Sequence, residues 1–361
     1  MSLKTNKKET KYMELAISLA KQRIGLTGNN PSVGCVIVKK NKIISLGQTG
    51  IGGVPHAESV AIDSSTEKVK GATLYSSLEP CSHFGKTPPC TNKIIDSKIK
   101  KVIYGVNDID IRSSNKCEKI FKKYKIKIKK NFLKKRASNL YKSYFFIKKK
   151  GLPYVTGKLA ITKNNLFKTR KKYITNNFSL EVSHLLRYKN QAILVSKNTI
   201  NQDNPLLNCR LNGLENFSPI RIILDKKLKV KKNSNIFKNS SALKTVIFHN
   251  KTKGDFKFFQ KKNVKLIYCP LDNNKLDLIY VLHTIKKLNI NYLLIEGGKD
   301  LTKNFLDKNL FNEFYLFSSG KNDKTINKRY IFNIKKYLNL KFKKKVKLDT
   351  YLMDNSIIRY F

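Results

Sequence analysis

The chain has 361 residues, 74 Lys and Arg against 24 Asp and Glu, a formal net charge of +50, and 40% apolar residues. That length suits two domains, each able to bury a core, and no stretch approaches the roughly 18 uninterrupted apolar residues of a membrane span. A charge this large would mark a nucleic-acid surface if it were clustered; here Lys is spread over both halves, with abundant Asn and Ile and no Trp, so compositional drift is the simpler reading and no nucleic-acid partner is expected.

The amino-terminal segment is basic, but Tyr12, Leu15, Ala16, Leu19 and Ala20 recur at helical spacing. This predicts an amphipathic helix over residues 10–24 and not a signal peptide. "SVGCVIVKK" and "KIISLGQ" then read as two strands joined by a tight turn. A helix starts near His56, "GATLYSSL" is a strand, "TPPCTNKIIDSKI" opens a helix after its prolines, "KKVIYGV" is a strand, and a Lys-rich helix over 132–150 closes the first half. "GLPYV" at 151–155 reads as a boundary, dividing the chain into domains 1–150 and 151–361. Beyond it the alternation restarts: strands at "YVTGKLAI", "QAILVS", "IRIILD", "KTVIFHN" and "NYLLIEGG", helices at "NNFSLEVSHLLRYK", "DLIYVLHTIKKLN" and "KDLTKNFLDK". Both halves are therefore expected to be layered α/β domains with largely parallel sheets. The tail from about 321 carries no readable pattern. Six cysteines at irregular spacing do not form a disulfide framework and fit a reducing, cytoplasmic setting; Cys35, inside a strand, is expected to fill the core, and Cys117, Cys209 and Cys269, with no metal-spaced partners, are expected to be structural.

The chemistry is concentrated in "PHAES" at 55–59 and "LEPCSHFGKTPPC" at 78–90. His56, Cys81 and Cys90 supply one imidazole and two thiolates. Three protein ligands leave a tetrahedral zinc ion a fourth position for water, the catalytic pattern and not the closed structural one. Glu58, two residues beyond His56, can reach that water without binding the metal and move its proton to a leaving amine. The H-x-E…P-C pattern marks zinc-dependent base deaminases, whose second cysteine normally lies three positions after the first; here Cys90 lies nine after Cys81.

The string P-C-S-H-x-G-[KR]-T-P-P-C, met at 80–90, resembles the deaminase domain of the bifunctional riboflavin-biosynthesis deaminase–reductases, and "NNPSVGCVIVK" at 29–39 resembles that family's substrate loop. The resemblance implies a cytidine-deaminase-like three-layer fold and a small-molecule substrate, a diaminopyrimidinone bearing a ribosylamino 5-phosphate. It implies that Asn30 contacts the pyrimidine and that His83 and Lys86 lie near the substrate; an ammonium at 86 suits a phosphate. The second half resembles the family's NADPH-dependent, dihydrofolate-reductase-like domain: "HLLRYKNQAILVS" at 184–196, "NTINQDNPLLNCR" at 198–210 and "IEGG" at 295–298 match its segments. By that resemblance Ile161, Tyr173, Thr199, Asp203, Gly297 and Gly298 face the cofactor, while Arg187, Leu207, Arg210 and Glu296 lie at the substrate, the two arginines suiting a phosphate dianion. A strand–Gly-Gly–helix junction also lets a phosphate approach bare backbone N–H groups.

One motif departs. Where the family carries S-L-D-G-[KR], this chain has Thr162-Lys163-Asn164-Asn165-Leu166, and "RKKYIT" at 170–175 is shortened, with Tyr173 in place of Trp. Asn164 cannot carry the expected charge, and Lys163 or Lys168 would have to supply the missing base. Two zinc-containing enzymes are thus in view, a bifunctional one and a deaminase with a silent second half. A tRNA or polynucleotide base deaminase fits the charge but not the cysteine spacing, and a structural zinc module in an RNA-binding protein would want a fourth ligand. A homo-oligomer and the absence of a membrane partner complete the expectations.

Overall fold

A computed structural model describes residues 7–85, 87–170, 173–238, 243–252, 256–324 and 328–361. The chain divides into two compact units, Met1–Leu152 and Pro153–Phe361. Among the described residues no helix is long and apolar enough to cross a membrane.

In the first unit, α1 (Lys7–Gln22) precedes a hairpin of β1 (Gly34–Lys39) and β2 (Lys42–Gln48); α2 (Ala57–Asp63), β3 (Thr73–Ser76), α3 (Cys90–Asp96), β4 (Lys101–Tyr104), α4 (Cys117–Lys123), β5 (Lys127–Lys129), α5 (Lys134–Leu140) and α6 (Lys142–Lys150) follow. The strands form one sheet in the order β2-β1-β3-β4-β5. β1 runs antiparallel to β2 and β3, and β3, β4 and β5 are parallel. Alternation along β1 sends Val36 and Val38 to a face covered by Met13 and Ala16, and Cys35 and Ile37 to a face covered by Ala57, Ala61 and Ile94. Helices on both faces make the three-layer arrangement. The single helix expected over 132–150 is instead two, meeting at Tyr141, whose φ of −87° and ψ of 7° leave the helical region. The Lys-rich composition carries helix propensity through the whole stretch, while the break comes from anchoring Tyr141 and Tyr144 in the core.

Close backbone packing fixes where α2 lies. A Cβ added to buried Gly47 on β2 would fall 2.1 Å from the Ala57 carbonyl oxygen and 2.7 Å from the Ala61 nitrogen. Gly47→Ala is therefore expected to push α2 off the sheet and cost about 1–3 kcal/mol or more, with zinc affinity falling as well, because α2 follows His56 and contains Glu58. Thermal melting with and without added zinc measures both effects; an unchanged melting temperature would contradict this packing.

The second unit runs β6 (Tyr154–Ile161), α7 (Asn177–Tyr188), β7 (Ala192–Ser196), α8 (Lys197–Asp203), β8 (Ile220–Leu224), β9 (Thr245–His249), α9 (Lys257–Lys261), β10 (Val264–Tyr268), the small hairpin β11 (Leu271–Asp272) and β12 (Lys275–Leu276), α10 (Leu278–Lys287), β13 (Tyr292–Glu296), α11 (Lys299–Asp307), β14 (Glu313–Ser318), α12 (Ile334–Lys341), β15 (Lys345–Lys347) and β16 (Ser356–Tyr360). Nine strands form one sheet in the order β10-β9-β8-β7-β13-β6-β14-β16-β15. Those from β10 to β14 are parallel; β16 is antiparallel to β14 and β15 to β16. The chain starts at the centre on β6, winds out through β7 to β10, then returns to place β13 beside β6. The carboxyl ends of β6, β7, β8 and β13 thus gather at one edge, the place where open α/β sheets bind ligands.

Candidate active sites

In the first unit, the metal-ligand candidates are positioned by two helix starts. His56 is the residue before α2 and Cys90 is the first residue of α3. The first turn of a helix has amide groups without partners inside the helix; Cys81 takes two of them, the Cys90 amide donating to its Sγ at 3.3 Å and the Thr91 amide to its carbonyl at 3.1 Å. The segment between the cysteines is therefore closed at its base by these two bonds and is not a mere spacer. His56 Nδ1 lies 3.3 Å from Cys90 Sγ and 3.5 Å from Cys81 Sγ, and all three donor atoms fall within 4.8 Å of one another. Tetrahedral zinc at ordinary Zn–N and Zn–S lengths requires donor separations of roughly 3.5–3.8 Å, so the residues fit the ion, with Nδ1 as the imidazole's ligating nitrogen.

The two thiols are unequal. The hydrogen bond from Cys90 draws the Cys81 pKa down to about 4, with His56 assisting against burial, whereas Cys90 is pushed up, first by Cys81 and then by burial. Glu58 is 3% exposed; its Oε1 accepts from Ser76 Oγ at 2.8 Å and its Oε2 lies 3.5 Å from Cys90 Sγ. Burial raises its proton affinity. Asn30 donates from Nδ2 to the Gly53 carbonyl at 2.9 Å, tying its loop to the turn just before His56. His83 sits on the loop between the cysteines, with Nδ1 2.7 Å from Ser113 Oγ. Lys86 lies outside the described residues. Cys35, Cys117, Cys209 and Cys269 are buried.

In the second unit a cleft of about 750 Å³ opens at the carboxyl edge of the sheet. Thr199, Asp203, Glu296, Gly297 and Gly298 line it. Its walls carry eight Lys or Arg side chains against four Asp or Glu, a balance that favours a polyanion. The two glycines do different things: a Cβ on Gly297 would lie 2.7 Å from Leu301 Cδ2, so glycine there permits close strand–helix packing, while a Cβ on Gly298 would meet only Phe167, at 3.9 Å. Gly298 is the residue before α11, leaving the approach to that helix start open.

Several residues of the second half sit otherwise than the resemblance implies. Arg187 does not present free forked donors to a phosphate: Nε and Nη2 bond Glu296 at 3.0 and 2.9 Å, and Nη1 donates to the Asn208 carbonyl at 3.1 Å. The pair is nearly closed to solvent, with side-chain exposures of 12% and 13%, and a desolvated guanidinium takes the nearest carboxylate. Arg210 is exposed and donates from Nη1 to Asn208 Oδ1 at 3.1 Å. Ile161 and Leu207 are buried and are not among the cleft's lining residues. Tyr173 is 45% exposed and is not among the cleft's lining residues.

Asn164 has a use that the motif comparison does not reveal. Its Oδ1 accepts from Thr162 Oγ1 at 2.7 Å and from the Asp323 amide at 3.2 Å, while Nδ2 donates to the Asp323 carbonyl at 2.9 Å. A carboxylate could not make the last bond. Lys168, which lines the cleft, donates to Gln202 Oε1 at 3.0 Å; Lys163 does not line it. Sequence reasoning missed Lys158, which β-sheet register places beside Glu296, and His184, whose pKa falls to about 4 through burial and then the Arg187 and Arg210 cations. The register of two strands far apart in sequence leaves no local signal.

Residues 6–106 match the family model of the cytidine and deoxycytidylate deaminase zinc-binding region, and residues 156–326 match that of the RibD C-terminal domain. The chain is 36% identical over 313 residues to the riboflavin biosynthesis protein RibD of Aquifex aeolicus, covering 86% of each, and 33% identical to that of Buchnera aphidicola, covering 87% of each. Among solved structures it resembles a diaminohydroxyphosphoribosylaminopyrimidine deaminase/5-amino-6-(5-phosphoribosylamino)uracil reductase from Thermotoga maritima, at 28% identity, a TM-score of 0.81 and 98% of both chains. Acinetobacter baumannii RibD matches with the same TM-score and coverage at 25% identity. A zinc-binding deaminase region followed by the reductase domain, aligned along most of the chain's length, places it in the RibD family of riboflavin biosynthesis proteins.

Proposed function

We propose that the chain performs two successive reactions on one phosphorylated pyrimidine: hydrolytic deamination of a diaminopyrimidinone ribosylamino 5-phosphate in unit Met1–Leu152, then reduction of the ribosyl chain to ribityl in unit Pro153–Phe361. The observation that carries the reading is the His56, Cys81 and Cys90 trio with the buried Glu58 carboxylate against it. His56, Cys81 and Cys90 would hold zinc, which when bound supplies the Lewis acidity that lets water ionise near neutral pH. In the reaction a water oxygen bonds to the ring carbon, the C–N bond breaks, and the nitrogen leaves as ammonia. Glu58 takes the proton from water and returns it to the departing nitrogen. Asn30, His83 and Lys86 are assigned to the substrate.

For the second reaction NADPH, when bound, supplies the hydride. The basic cleft suits its phosphates, Gly298 leaves the approach to α11 open, and Thr199 and Asp203 line the same cleft. Lys158 and Glu296 line the same cleft, Glu296 is paired with Arg187, and Glu296 is assigned to the substrate. Six cysteines with no disulfide suit a reducing cytoplasm.

A second reading, deamination alone, is favoured by one observation: Asn164, standing where the family carries Asp, is a neutral amide committed to Asp323. Purified protein given the deaminated phosphoribosylaminouracil and NADPH decides between the two. Loss of the nicotinamide absorbance is expected; no oxidation, with ammonia release intact on the diamino substrate, would leave the second unit without activity.

A further inference from the structure

Behind the Cys81–Cys90 loop lies a second loop, residues 107–115, and two buried side chains fasten the loops together. Glu79, two residues before Cys81, accepts at Oε2 from the Asp108 and Asn115 amides, both at 3.1 Å. From the second loop Ser113, fully buried, places Oγ 2.7 Å from His83 Nδ1 and 3.5 Å from the Ser82 amide nitrogen. The second loop is itself held: Asp108 Oδ1 accepts from the Tyr144 hydroxyl at 3.0 Å and from the Asp110 amide at 3.1 Å, and Asp110 pairs with Arg112 and Lys148.

We infer that Ser113 is a positioning residue that fixes His83 in its Nε2–H tautomer, so that this imidazole meets the substrate as a hydrogen-bond donor to an oxygen. The inference rests on the reading of the first unit as a deaminase with His83 beside its substrate. The Ser82 amide can only donate, so Ser113 Oγ accepts there. The hydroxyl then has one proton to place. His83 Nδ1 is the sole acceptor within hydrogen-bond distance of Oγ among the described residues, and a buried hydroxyl proton left unpaired is costly. Nδ1 therefore accepts, and in the neutral ring the proton resides on Nε2. The partner this selects is a phosphate or carbonyl oxygen; an N–H group at that position would be rejected.

The test uses the full-length, zinc-loaded protein. Long-range proton–nitrogen NMR of the imidazoles, with His83 assigned by its loss in His83→Gln, is expected to give the Nε2–H pattern for His83 and a tautomer mixture in Ser113→Ala. An Nδ1–H pattern in the unaltered protein would overturn the inference outright, and it does so whether or not the protein deaminates anything. In deamination, Ser113→Ala is expected to raise KM on the order of tenfold, the worth of about one hydrogen bond, with kcat within about twofold and zinc content unchanged. Ser113→Thr, which keeps the hydroxyl, restores KM. In a His83→Gln background Ser113→Ala adds nothing further. Equal damage in the Ala and Thr variants, or a full additional loss on top of His83→Gln, would mean that Ser113 only packs. An unaltered protein that keeps the Nε2–H pattern but releases no ammonia would instead refute the deaminase reading.

Discussion

Glu58→Gln is expected to keep zinc and lose deamination by roughly 10²–10⁴-fold, the usual worth of a positioned proton carrier. The substitution changes little else. Glutamine has nearly the same shape, fits the same buried site, and retains an oxygen that can accept from Ser76 Oγ in place of Glu58 Oε1. What it lacks is a basic oxygen. Glu58 is not among the three donor atoms that cluster for a metal, so metal content measured by atomic absorption should not move. His56→Ala and Cys90→Ala provide the contrast, since each removes a ligand and should abolish zinc binding and ammonia release together. Full ammonia release by Glu58→Gln would sink the proton-carrier role. A Cys90→Ala protein that still bound zinc stoichiometrically would show the ligand set to be wrong.

The deaminase half is legible in the sequence because its chemistry is local. His56 and Glu58 are two residues apart, Cys81 and Cys90 bound a single loop, and the prolines and helix starts around them are visible as composition. The strands β4, β7, β8 and β13 are short apolar runs, β-branched or leucine-rich, of the kind buried in parallel sheets, and β1, antiparallel to both neighbours, is a similar apolar run. What stays hidden depends on partners distant in the chain. Arg187 and Glu296 are 109 positions apart, and nothing near either residue announces the pair, so Arg187 reads as a free phosphate ligand. Ser113 lies in a loop whose role depends on what it touches 30 residues away. The tail fails differently. β15 is exposed at all three positions and α12 buries only Ile334 and Leu338 among its residues, so a lysine-rich background masks the period; β16 exists because it pairs with β14. Drift also makes Asn164 look like simple loss, although its amide is used at both ends.

Glu296→Gln is expected to destabilise the second unit by about 3–5 kcal/mol, because it leaves Arg187 buried without its counter-charge, and to abolish NADPH oxidation. Burial alone would raise the Glu296 carboxyl above its ordinary 4.5, but the Arg187 and Lys158 cations more than reverse this and hold it at about 2. A carboxyl held below its unfolded value contributes stability that is complete above pH 4.5 and is lost as the pH falls toward 2. Denaturant unfolding of the unaltered protein should therefore weaken steeply across that window, and Glu296→Gln should flatten that limb. Adding Arg187→Met to Glu296→Gln removes both charges. The double variant should regain most of the lost stability, since replacing a whole buried pair with well-packed neutral groups is often neutral or better. Its NADPH oxidation should stay lost if Glu296 also meets the substrate. Recovery of oxidation along with stability would make the pair a structural clamp with no part in the reduction. A Glu296→Gln protein as stable as the unaltered chain, with an unchanged acid limb, would show that the pair contributes nothing to holding the second unit together.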